Sequence, residues 1–378
     1  MPSTFTSFFT ILVIPIGLFY QIYLTPLFES VGVFRSVEPL NTEQCKTVEG
    51  LQACEKLVVH SSGLVYLACA SSPYSRTVWT PALGHLNATA LRALSSKDYV
   101  ATYDPTSRKV TRLDLLGLDD PRGLNVHGMD VVTDEHDPSL VWIYLVNHRP
   151  PLDPNADAAE IGADSVIEIF KTQLGSDSMK WIKTVSDEKV IVTPNDIVGS
   201  SNGKEFWFTN DHGAKTGISR TLDMYLHIKS TSVGYCHLDT GCKIAADKLY
   251  FSNGIVRKLL KLASLSIKID DPINDALGRA IDNLALANDG SVVVAAFPKA
   301  MHFTSKAVKD VNVPSPVSAI RVSENEGGGY RVEKIYESDG LNLGSAATTA
   351  SMYQDELYLH GLMGHHMLVC KIPTGAAM

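Results

Sequence analysis

Short β-rich runs recur along most of this chain, and they constrain its fold more than any other feature. GLVYLA at 63–68, LVWIYLV at 140–146, SVVVAA at 291–296 and ELYLH at 356–360 are separated by Gly, Asn, Asp and Pro, residues that end strands and favour turns. A hairpin unit also repeats irregularly: NDIV at 195–198 with EFWF at 205–208, then DNLAL at 282–286 with SVVV at 291–294. Repeated strand pairs with polar groups at their ends predict an all-β chain, a β-propeller in preference to a sandwich. The 378 residues, 45% of them hydrophobic, supply ample core for one large body over residues 35–378. Helical stretches are few, with residues 89–96 and 256–265 the better candidates, and residues 150–164 and 303–316, rich in Pro, Asp, Ser and Lys, read as surface loops.

Ahead of that body, residues 8–24 (FFTILVIPIGLFYQIYL) carry no charge, and none follows until Glu29. The run approaches the ~17–25 residues that span a bilayer and exceeds the ~7–15 of a cleavable core, so residues 1–30 read as a signal-anchor. A cleaved signal peptide and a buried helix are the alternatives; Pro15 interrupts the run and no Lys or Arg precedes it. Either secretory reading places the body in the secretory pathway, anchored at the endoplasmic reticulum or cell surface, or secreted. The six cysteines are then free to oxidise, in any of fifteen pairings. Joining Cys45 to Cys370 would fasten the two ends of the body, Cys236 and Cys242 flank a short loop, and Cys54 and Cys69 stand between pairing and burial as thiols. Asn87-Ala88-Thr89 is an N-glycosylation sequon. The net charge of −8, without a block of like charges, argues against a nucleic-acid partner.

Polar side chains gather where the apolar runs begin. Asn195-Asp196, Asn253 and Asp282-Asn283 each stand at the head of such a run. Carboxylate and amide oxygens are hard donors suited to calcium, and a single Asn-Asp pair is otherwise an ordinary turn former. Recurrence of the same chemistry at three strand heads favours a metal.

The motifs come in an order that resembles the paraoxonase/arylesterase family. They are His127-Gly128-Met129 after Leu124-Asn125, Val146-Asn147-His148, Asn195-Asp196-Ile197-Val198, Thr209-Asn210-Asp211-His212, Asn253-Gly254-Ile255 and Asp282-Asn283, within a likeness running from about Arg35 to Pro373. The resemblance implies a six-bladed propeller with two calcium ions in its tunnel, an uncleaved hydrophobic N-terminus, hydrolysis of lactones and aryl esters, and a Cys45–Cys370 disulfide. It assigns the catalytic calcium to Glu55, Asn195, Asn253, Asp282 and Asn283, and a proton-transferring dyad to His127 and His148. Calcium held this way polarises a carbonyl, and a neutral imidazole takes a proton from water.

Departures from the family pattern are as informative. The second calcium would use an acidic residue beside Glu55, together with Asp196 and the backbone of Met129; here that place is Lys56. An ammonium cannot ligate calcium, so one calcium is expected per chain, with Lys56 paired to Asp196. Phe297 stands where a further tunnel histidine is often found. The interval from Asn253 to Asp282 is short by about one hairpin, so one blade is expected to be incomplete. A calcium-dependent ester hydrolase is the first function implied, with relatives of the gluconolactonases as another enzyme reading. A catalytically silent propeller binding a hydrophobic ligand or protein partner on its membrane-facing side is the alternative.

Overall fold

The computed structural model describes residues 13–226, 228–258, 261–264, 279–325, 329–341 and 344–373. Strands dominate, and they assemble as blades around a central tunnel. The first blade is a meander of Cys54–Val59, Val65–Cys69, Tyr99–Asp104 and Lys109–Arg112. The second runs Val126–Thr133, Leu140–Arg149, Asp164–Gln173 and Ser178–Val185, with Asp114–Leu116 added parallel on its outer edge. Pro194–Gly199, Glu205–Asn210, Thr231–His237 and Gly241–Leu249 form the third. A fourth comprises Ala280–Leu286, Val292–Phe297, Val317–Glu324 and Tyr330–Ser338.

The last blade takes strands from both ends of the body. Thr349–Tyr353, Glu356–His360 and Met367–Lys371 are completed on the outside by Cys45–Val48, with Cys45 directly opposite Cys370. A disulfide joins that pair, and two more join Cys54 to Cys69 and Cys236 to Cys242, so no described cysteine is free.

Six blades are expected from the resemblance; the described residues form five, and the remaining inner position belongs to a two-stranded hairpin, Ile255–Lys258 with Lys261–Ser264. Its first strand packs between the inner strands Pro194–Gly199 and Ala280–Leu286, so the tunnel wall is closed with one blade reduced. The helical pattern over 256–265 is therefore overridden. Ile255 and Val256 are buried in the wall, and an extended strand suits that pleated surface where a helix does not; residues 259, 260 and 265 lie outside the described residues.

The helix expected over 89–96 is present as Ala88–Ala93, capped by exposed Asn87, whose Oδ1 accepts from Ala90 N at 3.0 Å. The 303–316 segment is less superficial than its composition indicates: Phe303, Ala307 and Val308 are buried with Phe297, Leu362 and Met363. At the N-terminus, residues 13–30 are helical and present Ile14, Ile16, Phe19 and Ile22 to solvent. No helix among the described residues is long and apolar enough to cross a membrane, and residues 8–12 of the expected anchor lie outside them.

Two motif glycines set how closely the inner strands approach. A Cβ on Gly128 would lie 2.2 Å from the Asn195 carbonyl oxygen, and one on Gly254 would lie 2.6 Å from Leu284 N. Only glycine permits those approaches.

Candidate active site

Four inner strands break register. The irregularities fall between Cys54 and Lys56, between Val126 and Met129, between Pro194 and Ile197, and between Ile281 and Leu284. A bulge re-aims side chains that regular alternation would send into the blade interfaces. Here the re-aimed residues include Glu55, the pair Asn195 and Asp196, and the pair Asp282 and Asn283. All five are buried.

On one side of this layer a chamber of about 200 Å³ brings Glu55, His127, Asn195, Asn253 and Asp282 together, with Leu83, Phe303 and Leu362 also in its lining. Glu55 is held by Thr348, whose hydroxyl donates to Oε2 at 2.8 Å, and by Asn283 Nδ2, which donates to Oε1 at 3.0 Å. Asn195 Nδ2 lies 3.3 Å from Asp211 Oδ2 and 3.2 Å from His127 Nε2. Since Asp211 can only accept, the amide orientation is determined: both N–H groups are spent, and Asn195 Oδ1 has no partner. Asn253 Oδ1 is likewise unpartnered. Two orphaned amide oxygens thus share one chamber with the carboxylates of Glu55, Asp211 and Asp282.

The charges match that chemistry. Burial pushes the Glu55 carboxyl up to about 7 against the pull of Arg76 and its hydrogen bonds, and burial followed by the Glu55 charge pushes Asp282 well above the ordinary range. A bound cation would relieve both. Among the described residues no three His, Cys, Asp or Glu side chains group as a metal cluster. With Asp211 engaged by Asn195 and His212, the Glu55 and Asp282 carboxylates and the two amide oxygens make a set that fits calcium, and waters complete such a shell.

Asn283 departs from the expected ligand set. Its Nδ2 is on Glu55 and its Oδ1 faces Lys56 Nζ at 3.4 Å, an orientation required because one neighbour only accepts and the other only donates. It offers no oxygen to the upper chamber. Asp196 and Met129 also belong below: Met129 and Lys56 line a second cavity of about 580 Å³, and Asp196 Oδ2 accepts from Lys56 Nζ at 2.6 Å.

His127 lines the upper chamber and His148 does not. Their rings meet edge to face, with centroids 5.2 Å apart, and His127 Nδ1 and His148 Nε2 are both buried without a partner. His148 Nδ1 is paired with Ser165 Oγ at 2.8 Å, and Trp79 Nε1 donates to the His148 carbonyl oxygen. Burial, reinforced by His148, lowers the His127 pKa well below the usual imidazole value, and burial lowers His148 to about 4. Asp211 is lowered too: burial alone would raise it, but the His212 charge and hydrogen bond and the Arg220 charge outweigh that and hold it below the usual carboxylate range. Its Oδ1 accepts from His212 Nδ1 at 2.8 Å.

Thr348 and Ser165 are positioning residues that the sequence motifs do not contain. Both are small hydroxyls at strand ends, a type too common in turns to be distinguished without coordinates. Phe297 stacks on Phe303 at 4.2 Å and contributes packing to the chamber wall.

A propeller whose tunnel holds an oxygen-rich chamber beside a histidine pair is the class that fold and site define. The Arylesterase family model matches residues 36–372, and the chain belongs to that family. It is 22% identical over 368 residues to serum paraoxonase/lactonase 3 of Homo sapiens, covering 91% of this chain and 93% of the relative. It is 24% identical over 364 residues to serum paraoxonase/arylesterase 1 of Mus musculus, covering 90% and 92%. The Malassezia sympodialis allergen Mala s 1 superposes with a TM-score of 0.44 at 11% identity, over 88% of this chain and 96% of that one.

Proposed function

We propose that this chain is a calcium-dependent hydrolase of carboxylic esters, acting on lactones and aryl esters. The observation that carries the reading is the pair of unpartnered oxygens, Asn195 Oδ1 and Asn253 Oδ1, in one chamber with Glu55, Asp282 and His127. Glu55, Asn195, Asn253 and Asp282 hold the calcium, while Asn283 and Thr348 orient Glu55. When bound, the ion supplies Lewis-acid polarisation of the substrate carbonyl.

The remaining chemistry belongs to the histidines. Both are neutral near pH 7, because burial disfavours their charged forms. His127 Nε2, on the chamber side 3.8 Å from Glu55 Oε1, exchanges its long hydrogen bond from Asn195 for one from water and takes the water's proton. His148, which Ser165 fixes in place, packs edge to face against the His127 ring and holds it on the chamber side. The hydroxide oxygen bonds to the acyl carbon, the acyl C–O bond breaks, and His127 returns its proton to the departing oxygen. Leu83, Phe303 and Leu362 give the chamber lining an apolar part, which suits an ester's hydrocarbon portion.

Three disulfides fit an oxidising, secretory setting. Within that setting the apolar N-terminal helix associates with a membrane, and exposed Asn87 accepts a glycan. Turnover of lactones, phenyl acetate and organophosphate esters by the full chain, with and without a chelator, tests the activity. Lactones and phenyl acetate are expected to be hydrolysed, organophosphates least, with activity lost on chelation and restored by calcium. Ester turnover indifferent to chelator, or none in calcium, would sink the proposal.

A further inference from the structure

Beneath the chamber, one buried cation ties much of the ring together. Lys56 Nζ donates to Asp196 Oδ2 at 2.6 Å, to the Leu284 carbonyl oxygen at 3.2 Å and to Asn283 Oδ1 at 3.4 Å. All three partners are acceptors, so the nitrogen uses three N–H bonds and is an ammonium. The pair is almost fully enclosed, with side-chain exposures of 5% for Lys56 and 0% for Asp196. Asp196 Oδ2 also accepts from Ile255 N at 3.0 Å. Strands Cys54–Val59, Pro194–Gly199, Ile255–Lys258 and Ala280–Leu286 therefore meet through this centre, four of the six inner positions.

The family resemblance implies a second calcium here, and these residues do not fit one. Its position would be shared with an ammonium that is attached to the wall and already neutralises Asp196. Calcium needs six to eight oxygens at about 2.3–2.6 Å, and displacing Lys56 would leave a buried lysine beside a divalent ion. Asp196 Oδ1, buried and without a hydrogen-bond partner, marks unused oxygen on the same carboxylate.

We propose that the Lys56 ammonium is this chain's resident second cation, a covalently tethered replacement for a structural divalent ion that no chelator removes. The inference concerns the lower centre and does not rest on the catalytic reading above. Removing the ammonium and placing a carboxylate there turns the cluster into a divalent-ion site, with Asp196, Asn283 Oδ1 and the Leu284 carbonyl as further donors.

The test compares bound calcium in the full-length wild type and in Lys56→Asp after dialysis at fixed free calcium. Lys56→Asp is expected to bind one equivalent more than wild type; equal counts in the two folded proteins overturn the inference. The wild-type count separately tests the catalytic site, where one equivalent supports it and none rejects it. Two equivalents in wild type overturn the tethered-cation reading. Should Lys56→Asp not fold, amine acetylation of wild type in saturating calcium decides. Lys56 is expected to react at least about 100-fold more slowly than exposed Lys109. Any smaller protection means that calcium has displaced the side chain, and the inference fails.

Discussion

Asn195 shows how a single amide reports on what a site is built to hold. Its two N–H bonds are directed sideways, to His127 and Asp211, so its oxygen faces the chamber unpaired. A buried acceptor left this way is costly unless a ligand satisfies it, by about 1–3 kcal/mol. Asn195→Ala removes that oxygen together with the hydrogen bonds to His127 and Asp211. Calcium affinity and ester turnover are expected to fall in step, each by at least about tenfold, the equivalent of ~1.4 kcal/mol. Calcium titration and turnover of the same preparation check this, and an unchanged calcium affinity would reject Asn195 as a ligand. The donors were legible in the sequence because Asn-Asp, Asn-Gly and Asp-Asn recur at strand heads. The direction of Asn283 was not: which way an amide turns depends on neighbours brought from other blades, here Glu55 and Lys56.

At the scale of elements, the inner strands depart from regular alternation where the chemistry lies. A regular strand would turn one of Asn195 and Asp196 to the upper chamber and bury the other between blades. The bulge lets one line the upper chamber and the other reach the Lys56 centre. Hairpins such as 195–208 were readable from apolar runs and turn residues, because those signals are local. Neither the bulges nor the hairpin at 255–264 were, since Ile255 and Val256 are held extended by packing against strands distant in sequence. Gly128 provides a test at this scale. Its absent Cβ admits the Asn195 carbonyl oxygen, which a methyl group would meet at 2.2 Å. Gly128→Ala must push the second and third blades apart, costing about 1–3 kcal/mol by overpacking. Denaturant unfolding is expected to show that loss along with weaker calcium binding, because the displaced strand carries Asn195. Wild-type values for both would mean that the two strands stand farther apart than described.

Over the whole molecule, closure is the central energetic problem. A ring of blades has no edge only if its first and last members are joined, and this chain joins them within one blade by pairing Cys45–Val48 with Met367–Lys371. The Cys45–Cys370 bond fixes that pairing across a sequence separation of 325 residues. Its constituent cysteines were identifiable from their place near the ends of the body and from the family resemblance, whereas the fifteen possible pairings left the other four open. A cross-link over so long a loop restricts the unfolded chain strongly and contributes about 2–5 kcal/mol. Cys45→Ser and Cys370→Ser are expected to lose the same stability within that range. The double variant is expected to lose no more than either alone, because each substitution breaks the same bond. The Cys236–Cys242 bond closes a separation of only 6 residues, so Cys236→Ser with Cys242→Ser should lose less on loop-entropy grounds. Urea unfolding of these variants under non-oxidising conditions, with the intact protein kept oxidised, gives the comparison. Additive losses from Cys45→Ser and Cys370→Ser would show that the two sulfurs act separately, and the ring would then owe its closure to strand pairing alone.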